Sequence, residues 1–67
     1  MEKIVEELKR LRAEKNMTLM ELAKRMNVER ARLSEVENGR GGLTLKRLYQ
    51  WANALGYKVT IKLEENE

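Results

Sequence analysis

The sequence predicts an all-α protein, a compact four-helix bundle around a helix-turn-helix, closed by one C-terminal β-strand. Three observations carry that prediction. Apolar residues recur at three- and four-residue spacing through most of the 67 residues. Thr18 and Thr44 mark helix starts, while Asn16, Gly39 and Gly56 mark helix ends. From Tyr57 onward the apolar period shortens to two. These changes divide the chain into a helix-turn-helix domain over residues 1–56 and a C-terminal segment over residues 57–67.

The first helix is expected from about Glu2 to Lys15. Ile4, Val5, Leu8 and Leu11 form its apolar stripe. Glu2, Glu6 and Glu7 lie toward its start, and Arg10, Arg12 and Lys15 toward its end, as the helix dipole favours. Asn16 suits the left-handed position that stops it. Thr18 and Glu21 have the spacing of a capping box for the second helix, and Met17 can staple onto Leu22. Leu22, Ala23 and Met26 turn to the core.

Ala23, Asn27, Leu33 and Val36 sit at offsets of four, ten and thirteen, the spacing of a helix-turn-helix. The small Ala23 lets the second helix cross close to the third. Asn27 takes the positive φ of the turn, with Val28 packed beneath it. The third helix runs from about Arg30 to Glu37, held inward by Leu33 and Val36. Gly39 ends it, and Arg40, Gly41 and Gly42 make a basic loop. Thr44 caps a fourth helix to Leu55, whose Leu45, Leu48, Trp51, Ala52 and Leu55 close the core. In the tail, Tyr57, Val59, Ile61 and Leu63 alternate with Lys58, Thr60 and Lys62. A lone strand leaves its backbone unpaired. Its simplest partner is the same strand of a second copy, so these four residues are the expected dimerisation element; packing on its own domain or on another protein is the alternative.

Composition narrows the chemistry. With no cysteine there is no disulfide and no thiolate, and with no histidine the commonest general base and metal ligand are missing. No catalytic residue, metal site or cofactor is expected, and no enzyme. No apolar run approaches the roughly 20 residues of a membrane span, and the acidic N-terminus is unlike a signal peptide, so a cytoplasmic location is expected. A chain without Pro, Cys, His or Phe but rich in Glu, Lys, Arg and Leu fits idealised design as well as a thermophilic source.

Charge is unevenly placed. From Lys24 to Arg47 there are seven cations (Lys24, Arg25, Arg30, Arg32, Arg40, Lys46, Arg47) against three anions (Glu29, Glu35, Glu37), within a chain of net charge +3. A basic face of this kind suits a polyanion. The outward residues of the third helix, Arg30, Ala31, Arg32, Ser34 and Glu35, suit the major groove. Arginine pairs with guanine O6 and N7, glutamate accepts from cytosine N4, and alanine touches a thymine methyl. Lys46 and Arg47 in the first turn of the fourth helix oppose its dipole, which a nearby phosphate would offset.

Over about Leu8 to Gly56 the chain resembles the Cro/repressor-type (XRE) helix-turn-helix family. The resemblance rests on Leu8, Leu11, Thr18, Glu21-Leu22-Ala23, Val28, Leu33-Ser34, Val36-Glu37-Asn38-Gly39, Leu45, Leu48, Ala52 and Ala54-Leu55-Gly56. It implies the phage-repressor bundle and binding to operator DNA, usually as a dimer. It also implies base-reading roles for Arg30, Ala31 and Glu35, with Arg32 adjacent. Backbone roles fall on Thr18, Leu19, Ser34, Asn38, Gly39, Arg40, Thr44, Lys46 and Arg47. The tail is similar to that of small antitoxins of the family. Three departures stand out. Leu19, with Met20 beside it, replaces a DNA-contacting glutamine. Glu29 replaces a capping Ser or Thr, and Asn27 replaces the turn glycine.

The expected function is therefore sequence-specific binding of double-stranded DNA by a transcriptional regulator, a repressor for example, or by a designed binder. The alternative is an antitoxin-like module that neutralises a toxin partner.

Overall fold

The computed structural model describes residues 2–66; Met1, Glu67 and the Glu2 side chain lie outside it. Four helices follow one another: α1 Glu2–Glu14, α2 Leu19–Met26, α3 Arg30–Glu37 and α4 Leu45–Ala54. α2 packs on both α3 and α4, and α1 packs on α3. Leu8, Met17, Leu22, Ala23, Leu33, Val36, Leu48, Trp51 and Leu55 form one buried cluster. Trp51, Leu22, Leu33 and Leu55 are its largest fully buried side chains.

Local chemistry fixes the helix ends. At α2 the Thr18 hydroxyl accepts the Glu21 N–H at 3.1 Å, and Glu21 Oε1 accepts the Thr18 N–H at 2.9 Å, a complete capping box. At α4 the Thr44 hydroxyl accepts the Arg47 N–H at 3.1 Å. All four helices stop in one way, through a left-handed residue whose own N–H and that of the next residue return two bonds to the last turn. For α2 that residue is Asn27, φ 58°, with Asn27 N–H to Lys24 O at 3.2 Å and Val28 N–H to Ala23 O at 3.0 Å. Asn16, Gly39 and Gly56 play the same part at φ 54°, 79° and 87°. Asparagine and glycine are the residues that enter this region at least cost.

An ion pair not foreseen from the sequence joins α1 to α3. Arg12 Nε and Nη2 each donate to Glu37 at 2.9 Å, one to each oxygen, while Arg12 Nη1 donates to Met17 O at 2.9 Å. Glu37 is 8% exposed. The paired carboxylate holds the Arg12 guanidinium above its ordinary pKa, against the opposing effect of desolvation. Helix-end placement had suggested a dipole role for Arg12. Its real signal is Glu37, four residues after Leu33 and so on the core side of α3.

Two expectations are corrected. The C-terminal β-strand is absent: among the described residues there is no strand, and residues 57–66 carry no regular structure. Alternation satisfies the side chains of a strand but not its backbone, which needs a neighbouring strand that this bundle does not offer. The dimerisation ribbon of Tyr57, Val59, Ile61 and Leu63 falls with it. Val59 packs against its own core, whereas Tyr57, Ile61 and Leu63 are exposed. Secondly, Leu45 stands outside the core at 53% exposure. It follows the Thr44 cap directly, in the first turn of α4.

Candidate nucleic-acid interface

α3 divides cleanly. Leu33, Val36 and Glu37 are buried, while Arg30, Ala31, Arg32 and Glu35 are exposed and Ser34 is half-buried. None of the exposed charged residues of α3 has an ion-pair partner within 4.0 Å among the described residues. Their charges are left to a ligand or to water. Glu29 caps α3 with no side-chain hydrogen bond; its carbonyl accepts the Arg32 N–H at 3.1 Å, which leaves the Arg30 and Ala31 N–H groups open at the start of α3.

The backbone-contact candidates separate into groups. Thr18 and Leu19 stand at the start of α2. Leu19 is half-buried against the core, and of the Leu19–Met20 pair only Met20 is exposed, at 55%. Glu21 completes the cap there, and the Thr18 backbone N–H holds its carboxyl below the usual glutamate range. This start therefore carries an anion of its own. At the end of α3, backbone donors are already used: Asn38 N–H to Ser34 O at 3.0 Å, Gly39 N–H to Val36 O at 3.0 Å, Arg40 N–H to Glu35 O at 2.7 Å. The Asn38 amide also donates to the Ser34 hydroxyl at 3.3 Å. What Asn38, Gly39 and Arg40 leave for a phosphate is the Arg40 side chain and the remaining Asn38 amide proton. The open N–H groups lie next door, at Gly41 and Gly42 of the basic loop, where glycine permits close backbone approach.

Arg32, Thr44 and Arg47 converge. With Leu33, Val36, Gly42 and Trp51 they line a depression of about 100 Å³ between α3 and the start of α4. Lys46 is exposed beside it. Trp51 is fully buried, and its indole N–H has no hydrogen-bond partner among the described residues. An unpaired buried donor costs roughly 1–3 kcal/mol, and buried tryptophans usually find a partner. The sequence did hold a signal for this grouping, since Thr44, Arg47 and Trp51 follow at intervals of three and four and share one face of α4.

Comparison with curated proteins and with solved structures returns no match. The family model described as helix-turn-helix matches residues 8–62. That span takes in the capped α2, the Asn27 turn, the exposed face of α3 and all of α4, and so the chain belongs to the Cro/repressor-type (XRE) helix-turn-helix family of DNA-binding regulators.

Proposed function

We propose that the protein is a sequence-specific regulator that reads double-stranded DNA with α3 in the major groove. The observation that supports this most is the two-sidedness of α3, anchored by Leu33, Val36 and the Glu37–Arg12 pair and free along Arg30, Ala31 and Glu35. Arg30 is suited to guanine, Glu35 to cytosine N4 and Ala31 to a thymine methyl, with Arg32 beside them. The start of α2, the Arg40 side chain and Lys46 hold flanking phosphates. No cofactor enters this reading, and its setting is the cytoplasm, on the nucleoid in a bacterium. Bound as two copies, the protein would read half-sites about one helical turn apart.

A second reading, an interaction module that neutralises a partner protein, draws on the exposed Tyr49, Tyr57, Ile61 and Leu63. Selection of bound duplexes from a random pool near physiological salt separates the two. Enrichment of one motif supports base reading, and Arg30→Ala should then cost roughly 1–3 kcal/mol and relax one position, while Lys46→Ala weakens every sequence alike. A pool that stays random would overturn the first reading in favour of the second.

A further inference from the structure

Two carboxylates interrupt the basic face. Of the three anions between Lys24 and Arg47, Glu37 is buried and neutralised by Arg12. Glu29 and Glu35 are exposed, and neither has an ion-pair partner within 4.0 Å among the described residues. Glu35 already has a place in the reading of α3, and Glu29 has none. It is the N-cap of α3, in extended conformation, yet its carboxylate makes no capping hydrogen bond. Asn, Asp, Ser and Thr make that bond readily, and each would serve the helix better. Capping, pairing and burial therefore leave the Glu29 side chain unexplained. Its position gives it a role toward a ligand. It stands directly before Arg30, at the end of the helix that meets base edges. The open N–H groups of Arg30 and Ala31 would suit a phosphate, and a carboxylate beside them repels one.

We infer that Glu29 is a specificity-determining residue of the DNA interface: its carboxylate accepts a hydrogen bond from a cytosine N4 amino group at one position of the site, and it opposes binding where only phosphate is offered. This rests on the reading of α3 in the major groove. An ionised carboxylate can only accept. In the major groove cytosine presents an amino donor alone, adenine presents a donor beside the N7 acceptor, and guanine presents two acceptors. Cytosine therefore matches Glu29 best, whereas guanine and every phosphate meet it with lone pairs or like charge. Arg30, the next residue, has the opposite preference, for guanine acceptors. A charge left without a partner on wrong DNA separates right from wrong sites by penalising the wrong ones.

The test runs selection from a random duplex pool in parallel on the unsubstituted protein, Glu29→Gln and Glu29→Ala. Glutamine keeps an acceptor and adds an amide donor, the combination that fits adenine N6 and N7. Glu29→Gln should therefore move one position of the motif from cytosine toward adenine, and Glu29→Ala should leave that same position degenerate. Both variants should bind a duplex with the motif scrambled about three- to tenfold more tightly at low salt, a gain that shrinks as salt rises. The ratio of motif to scrambled affinity should fall roughly tenfold. Thermal melting of the free proteins tests the competing role. The Glu29 side chain makes no capping bond or ion pair, so both variants should melt close to the unsubstituted protein. A role confined to the helix dipole would lower the melting temperature and leave the motif intact. One motif shared by all three proteins overturns the Glu29 assignment and leaves the DNA reading standing. A pool that stays random with the unsubstituted protein overturns the DNA reading and the assignment with it.

Discussion

The helix-turn-helix and the segment after Gly56 both carry apolar residues at regular spacing, and they end up in opposite conditions. α2 and α3 bury Leu22, Ala23, Leu33 and Val36 and close every turn with bonds made inside the chain. The segment from Tyr57 leaves Ile61 at 49% and Leu63 at 92% exposure, and only Val59 reaches the core. A helix satisfies its backbone from its own residues, so a short one needs only caps and one buried face. An extended segment needs a second chain segment for the same purpose, and none lies beside it. What holds the tail is local to its first residues: Tyr57 N–H donates to Ala52 O at 2.8 Å, and the Lys15 ammonium lies 5.1 Å from the Tyr57 ring centre. Past Val59 nothing comparable follows among the described residues.

The contrast can be broken most severely at the Arg12–Glu37 pair. Arg12→Ala leaves a buried carboxylate without its cation, and urea unfolding should show a loss of about 3 kcal/mol. That is the low end for such pairs, because the Arg12 side chain keeps 21% exposure. A loss below about 1 kcal/mol would mean that α3 is held by its apolar contacts alone. Next in size is the α2 cap. Thr18→Ala should cost about 1 kcal/mol in the same measurement, since it removes the acceptor for the Glu21 N–H.

A smaller effect depends on pH. The folded state holds the Glu21 carboxyl below its ordinary pKa, chiefly through the Thr18 backbone N–H. Its contribution is therefore complete above the unfolded value, near pH 4.3, and is lost as pH falls through the lower folded value. Glu21→Gln should flatten that part of the acid limb of the stability curve while leaving the shape above pH 6 unchanged. An unchanged acid limb would show that the cap does not need the charge. The smallest effect is expected from the tail. Deleting residues 60–67 should change stability by no more than about 0.5 kcal/mol, because it removes exposed residues and leaves Val59 in place. A larger loss that grows with protein concentration would reveal a partner copy on the segment and undo the contrast.

The sequence by itself determined where all four helices stop and where α2 and α4 start, because capping is chemistry between residues two to five positions apart. Thr18 with Glu21, Thr44 with Arg47, and the left-handed Asn16, Asn27, Gly39 and Gly56 all act within that range. It also determined which side of α3 turns outward, since Leu33 and Val36 set the phase of the helix. Only the tertiary structure decided the rest. The Arg12–Glu37 pair spans 25 positions, and the meeting of Arg32 with Arg47 and Trp51 depends on how α3 lies against α4. The missing strand belongs with these. Alternation in Tyr57–Leu63 states what the side chains could do, but a strand exists only where another backbone lies alongside to receive its hydrogen bonds.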